Sequence, residues 1–362
     1  MSGLIGDRFL HAEVAAPMVR ASSLPFREEC LRYGASFAFT EELIDKKIIN
    51  SYQSENDDGT VIFKVRKDDT RTVHFSPGSK EKTVLQLGTA DGNLASKAAL
   101  QLVEYVSEVN VNMGCPKPFS VSGGMGAALL SKPEIAADIV RTLRATLPVD
   151  IPVTCKIRYI GDKDHPERML KQTSEFMCGL ISAGASAITV HMRTEPMRPR
   201  EPAIWTGFTE LLNILPAEHT DFPVIANGDF FNRAQIDTFK QHVDDQFTGA
   251  GRSWCRSVMV ARGAMWNPSI FDKEKDHAPE CVLRGFLDSC QLFGEPHSSV
   301  KWMMAQMMEG YVEVRGRPIK WLRDRVHRSK EIADLQHALE ELQASETIKM
   351  ESNKRIKLDS NS

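Results

Sequence analysis

Through the first 270 residues the chain repeats one pattern: a short apolar run, then a segment with helical spacing. Eight runs carry it: EVAAPM (13–18), FAFTEEL (37–43), TVLQLG (83–88), EVNVNM (108–113), PVTCKIR (152–158), AITVHM (187–192), PVIANGD (223–229) and SVMVARG (257–263). Several are almost continuously apolar and end in a polar residue or glycine. Strands buried on both faces have that pattern, and alternation with helices implies parallel pairing. The intervening segments fit helices. Residues 96–106 place Ala98, Ala99, Leu102 and Val103 on one face, and 133–147 open with Pro133 in the first turn behind Ser131 as N-cap.

Eight β–α units in about 260 residues match a closed barrel. An open doubly wound sheet would show GxGxxG after its first strand. Here that strand ends in Pro17-Met18-Val19-Arg20. The expected fold class is therefore α/β: a (β/α)8 TIM barrel over 1–275, followed by a small all-helical C-terminal domain over 276–345. Residues 346–362 read as a polar, disordered tail, and 60–76 as an extra hairpin inserted after the second strand.

Composition adds bounds rather than identity. Hydrophobic residues make up 42% and charged residues 26%, near the globular average. No stretch approaches the roughly 18 apolar residues of a membrane helix, and the N-terminus lacks signal-peptide character. A cytoplasmic or nuclear location is the expectation; Lys354-Arg355-Ile356-Lys357 is a weak import candidate. The seven cysteines include no CxxC pair, so neither a disulfide framework nor a metal site is expected. With a net charge of −3, any nucleic-acid contact must come from a local basic surface.

Active sites of such barrels sit at the C-terminal strand ends. Those ends bring Met18, Glu42, Gln86, Asn112, Lys156, Arg158, His191, Asn227 and Arg262 together. A purely structural barrel has no need of that polar set. Asn227-Gly228-Asp229 and Ala261-Arg262-Gly263 follow strands seven and eight, where barrels commonly bind phosphate, so a phosphate-bearing ligand is expected. Lys156 and His191, on neighbouring strands, suit negative charge developing on a ring. Gln86 and Asn112 suit the edge of a heterocycle. Cys115 lies just past strand four in Asn112-Met113-Gly114-Cys115-Pro116, where Gly114 permits a tight turn and Pro116 stiffens it. The other cysteines lack this context, and Cys155 reads as packing. Gly123-Gly124-Met125-Gly126 follows a loop, so it reads as a place of close backbone approach rather than a dinucleotide motif.

These motifs together resemble the tRNA-dihydrouridine synthases, and among them the eukaryotic branch acting at position 20. The carriers are APMVR (16–20), EELID (41–45), QLGT (86–89), NMGCP (112–116), GGMGAALL (123–130), CKIR (155–158), VHMR (190–193), VIANGD (224–229) and SVMVARGAMWNPSIF (257–271). The resemblance implies FMN at the barrel mouth, NADPH as reductant and a uridine of tRNA as substrate. Hydride would pass to uracil C6, and Cys115 would protonate C5. It also implies FMN contacts from Pro17, Met18, Val19, Gln86, Asn112, Lys156, His191, Asn227, Gly228, Asp229, Ala261 and Arg262. Arg193 is expected to contact substrate. Two positions depart from the family pattern: Asn110 replaces a usual Asp, and Met192 replaces a usual Gly at a position expected to border the flavin.

The helical domain offers a basic surface for tRNA: Arg315, Arg317, Lys320, Arg323, Arg325, Arg328 and Lys330, with Asp324 as the one acid among them and Trp321 available to stack. Competing readings remain at this stage. They are a flavin barrel acting on a small molecule, similar to dihydroorotate dehydrogenases, a barrel with Lys156 as a Schiff-base lysine, and a barrel that binds tRNA without catalysis.

Overall fold

The computed structural model describes residues 8–247, 256–314 and 317–342, with the backbone alone for 313, 314 and 317. Its strands are β1 (Glu13–Ala15), β2 (Phe37–Ile44), β3 (Ser51–Glu55), β4 (Val61–Val65), β5 (Arg71–Phe75), β6 (Thr83–Gly88), β7 (Glu108–Asn112), β8 (Val153–Tyr159), β9 (Ala187–Thr194), β10 (Val224–Asn227), β11 (Val258–Val260), β12 (Glu313–Val314) and β13 (Arg317–Pro318). Eight of them form a closed parallel barrel in the order β1-β11-β10-β9-β8-β7-β6-β2, and β2 pairs back onto β1. These are the eight apolar runs, as expected.

Alternation along each strand sorts its side chains into two layers. Val14, Phe37, Phe39, Val84, Ile225 and Met259 point inward and pack over Phe9 and Ala12. Val109, Val111, Cys155, Ile157, Ile188 and Val190 point outward into the layer shared with the helices. Cys155 is fully buried there, which agrees with a packing role. Burial contributes about 1.5–3 kcal/mol for each large apolar side chain, so this layer is the main source of stability.

The insertion after β2 is larger than the hairpin expected. It is a three-stranded antiparallel sheet, β3-β4-β5. The first strand, SYQSE, has too few apolar residues to announce itself. The sheet is fixed to the barrel by Phe63 and Phe75, whose rings meet Tyr105 at centroid distances of 5.6 and 5.5 Å.

Helices Pro279–Leu292, His297–Met307, Ile319–Arg328 and 332–342 follow the barrel. The first docks on helix Leu24–Arg32: Leu283, Phe286 and Cys290 join the layer containing Phe26 and Cys30, and Ser289 Oγ donates to Glu29 Oε1 at 2.5 Å. A second tie reaches the barrel mouth. Arg20 stacks over Trp302 at 4.6 Å, with its backbone left-handed at φ 72° and its N–H held by Glu41 Oε2 at 2.9 Å. Among the described residues no helix is long and apolar enough to cross a membrane. The polar tail lies outside the described residues.

Candidate active site

A cleft of about 450 Å³ opens at the C-terminal end of the barrel. Cys115, Arg193 and every residue expected to contact FMN, from Pro17 to Arg262, line it. So do Glu42 and Arg158, noted above only as rim residues, and Phe231, Met265 and Trp302, which gave no signal in the sequence. Trp302 could not have been found, because a helix about 190 residues beyond β7 carries it in.

Cys115 is held from two sides. Asn112 Oδ1 accepts the backbone N–H groups of Gly114 at 3.0 Å and Cys115 at 3.1 Å. Arg158 Nε donates to Gly114 O at 2.7 Å. Gly114 is needed for space rather than for a left-handed turn: a Cβ there would stand 3.2 Å from Arg158 Cγ and 3.3 Å from the Ile157 carbonyl carbon. Gly126, at φ 58°, closes over the loop, and a Cβ there would stand 2.6 Å from Cys115 O. The glycine string thus provides the close approach its composition suggested.

Below Asn112 a chain of donors runs down the polar half of the barrel interior. Asn112 Nδ2 donates to Gln86 Oε1 (3.2 Å), Gln86 Nε2 to Asn110 Oδ1 (2.9 Å), Asn110 Nδ2 to Thr154 Oγ1 (2.8 Å), and Thr154 Oγ1 to Glu108 Oε1 (2.6 Å). Arg8 caps it, 3.4 Å from Glu108 Oε2. Every dipole points the same way, towards the buried carboxylate, so each bond strengthens the next. Asn110 needs both its donor and its acceptor here, which accounts for an amide at this position. Gln86 and Asn112 therefore spend much of their hydrogen-bonding capacity on the protein rather than on a ligand edge.

The cleft is rich in positive charge. Burial pulls the Lys156 amine down to about 7, and neighbouring Arg158 pushes it the same way. Arg158 itself falls to about 10, by burial and then by Arg193. Burial also holds the His191 ring well below its ordinary value, with Lys156, Arg158, Arg193 and Arg262 adding to the effect. His191 is thus neutral. Its Nε2 faces Arg193 Nη1 at 3.3 Å, and a guanidinium can only donate, so the ring proton sits on Nδ1. Cations crowded until they destabilise one another form a site for an anion.

Asp229 organises the turn after β10. Its backbone is left-handed at φ 57°. Its carboxylate takes Arg193 Nη2 at 2.7 and 2.6 Å, Arg262 Nη2 at 2.9 Å and the Ala203 N–H at 2.7 Å. Arg193 also donates to the carbonyls of Glu201 and Pro199, so its guanidinium is engaged in shaping the turn. Met192 does not border the cleft. His191 and Arg193 point inward, so alternation sends Met192 outward, where it is fully buried in the helix-facing layer.

Cys115 carries a thiol pushed upward, by burial first and then by the charge of Glu42. It is therefore a protonated acid at neutral pH. The whole arrangement places one fixed S–H beside an anion-binding cleft. Residues 14–357 match the family described as Dihydrouridine synthase (Dus). The chain belongs to that family.

Named relatives agree with the match. The chain is 31% identical over 311 residues to the tRNA-dihydrouridine(20) synthase [NAD(P)+] of Saccharomyces cerevisiae, covering 82% of this chain and 77% of that one. It is 30% identical to the enzyme of the same name from Schizosaccharomyces pombe, spanning 59% of its length. It is 27% identical to a human tRNA-dihydrouridine(20a/20b) synthase [NAD(P)+]-like protein, covering 82% of each chain.

For a dihydrouridine synthase family member, the helical segment is less uniformly basic than its sequence suggests. Arg323 pairs with Glu309 at 3.2 Å, and Arg325 with Glu341 at 2.8 Å. Arg325 also lies over the Trp321 ring at 4.8 Å. Asp324 remains the one acid within 315–330, and the added carboxylates arrive from other elements. Lys320, Arg328 and Lys330 are exposed, and none makes an ion pair with a described residue. A hollow of about 690 Å³ runs past Trp321, Arg325, Arg328 and Lys330. Arg315 lies outside the described residues, and only the backbone of Arg317 is described, in β13.

Proposed function

We propose that this protein reduces a uridine of the tRNA D-loop, at position 20, to 5,6-dihydrouridine, using FMN and NADPH. The observation that carries the reading is the protonated Cys115 thiol, fixed by Asn112 and Arg158 at the rim of a cationic cleft.

The cleft fits FMN on its own chemistry. Its volume suits a cofactor-sized ligand. Lys156 lies buried without full charge, and an anionic ring would restore it. Arg262 and the Asn227–Asp229 turn offer the phosphate end a charged donor and a backbone held open by Gly228 at φ 142°. Pro17, Met18, Val19, Gln86, His191 and Ala261 would enclose the remainder. When bound, FMN supplies to uracil C6 the hydride that NADPH provides.

The protein's own part is orientation and one proton. Cys115 Sγ carries that proton to C5 of the base. Its raised affinity keeps it loaded at neutral pH, and its fixed loop sets its aim. Neutral His191 and Lys156 line the region where charge develops. Lys320, Arg328 and Lys330 are proposed to anchor tRNA phosphates, with Arg323 and Arg325 beside them, while the uridine leaves its stack at a cost of a few kcal/mol.

The test is direct. Purified protein with FMN, NADPH and unmodified tRNA is expected to form dihydrouridine, mapped to position 20 by nucleoside mass spectrometry. Turnover of dihydroorotate with tRNA left untouched would instead establish a small-molecule flavin barrel.

A further inference from the structure

Glu42 has no part in the reading above, yet it lines the same cleft as Cys115. It lies near the end of β2 and leans over β6, so close that a Cβ on Gly88 would stand 2.9 Å from its Oε1. Ser120 is fully buried, and its Oγ donates to Glu42 Oε1 at 3.1 Å. Glu42 and Cys115 both line the cleft, and the charge of Glu42 acts on the Cys115 thiol. Gly126 holds the three together: a Cβ there would stand 3.0 Å from Cys115 Cβ and would also strike Ser120 Oγ. Three separate segments, the end of β2, the Cys115 loop and helix Pro118–Ser122, thus converge on one thiol–carboxyl pair.

The proposed reaction gives this pair a task. As the C5–H bond forms, the S–H bond of Cys115 breaks and sulfur keeps the electron pair. A thiolate then stands beside Glu42 in a partly buried site. If Glu42 were ionised as well, two anions would face each other in one partly buried site. We infer that Glu42 returns the proton to Cys115 Sγ, with Ser120 holding its carboxyl group in place. This rests on the uridine reduction proposed above. The Glu42 O–H bond breaks as the S–H bond reforms, and the carboxylate then takes one proton from solvent at the cleft mouth. No further reactant is needed.

The surroundings suit a proton carrier. Burial raises the affinity of Glu42 for its proton, while the Ser120 hydroxyl and the charges of Lys117 and Lys156 oppose that effect. Arg158 is the remaining charge that senses the pair, through Cys115. A carboxyl group moved towards neutrality can both give and regain a proton within one cycle.

Two measurements test the assignment. In the first, pre-reduced Glu42→Gln holoenzyme meets unmodified tRNA. Its first turnover is expected within about twofold of wild type, because Cys115 starts protonated, while steady-state turnover falls about tenfold or more. Small acids such as imidazolium should restore the variant in proportion to their concentration and leave wild type unaffected. Glu42→Asp keeps an acid and should keep the larger part of steady-state turnover. In the second, iodoacetamide labelling of Cys115 is followed against pH by peptide mass spectrometry, with no tRNA or reductant. Removing the carboxyl group should move labelling to lower pH. Equal loss of first-turnover and steady-state rates without rescue by acids, or an unshifted labelling profile, would overturn the inference while leaving uridine reduction intact. Wild-type protein that forms no dihydrouridine would overturn both.

Discussion

Thr154→Val tests the donor chain beneath Cys115 at a residue that lies outside the cleft. The exchange keeps the branched shape and removes one hydroxyl group. Two partners lose their bonds: Asn110 Nδ2, which donates to Thr154 at 2.8 Å, and Glu108 Oε1, which accepts from it at 2.6 Å. Asn110 and Glu108 are at most 2% exposed, so water does not replace the hydroxyl. An unsatisfied buried polar group costs about 1–3 kcal/mol, more when charged, so the pair predicts a loss of roughly 3–5 kcal/mol. Burial already holds the Glu108 carboxyl above its ordinary value, with Arg8 and Thr154 opposing that effect. Without Thr154 the folded-state value rises further. A raised folded-state value means stability that is complete below the unfolded value and is lost as pH climbs through the folded one. The deficit of the variant should therefore be smaller near about pH 5 than near about pH 8. Denaturant unfolding at both pH values reads this. A loss below about 1 kcal/mol, or one independent of pH, would show that the chain carries no such load.

Three further outcomes are expected. Cys115→Ala should retain FMN and tRNA affinity yet lose about 100-fold or more of uridine reduction; undiminished turnover would remove Cys115 from its role. FMN binding to apoprotein, followed by flavin fluorescence, should weaken as pH rises above about 7, where Lys156 loses its proton. Lys156→Ala should bind FMN more weakly throughout and show no such slope. Neutralising Lys320, Arg328 and Lys330 together should weaken tRNA binding and reduce its log–log salt slope by about 2–3, and more than neutralising the carboxylate-paired Arg323 and Arg325; equal effects of the two sets would place the tRNA surface elsewhere.

The eight apolar runs and their polar ends determined much by themselves. A strand buried on both faces must be apolar along its body, and its last residues alone can be polar without cost. Barrel, mouth and the turn of Cys115 follow from that. Strand parity goes the other way from the expectation at one position: Met192 is expected beside the flavin, yet His191 and Arg193 facing inward leave it facing outward. What the sequence could not determine is which groups meet across the structure. Glu42 and Cys115 lie on opposite sides of β6, and the pairing of β2 and β7 onto β6, with the loop after β7 folded over, brings them to one place. Glu309 and Glu341 neutralise arginines from neighbouring elements, and Trp302 enters the cleft from a helix beyond the barrel. Periodicity reports which face of an element is buried. Hydrogen bonds and charge pairs depend on distances of a few ångströms between elements remote in sequence, and the tertiary fold alone sets those.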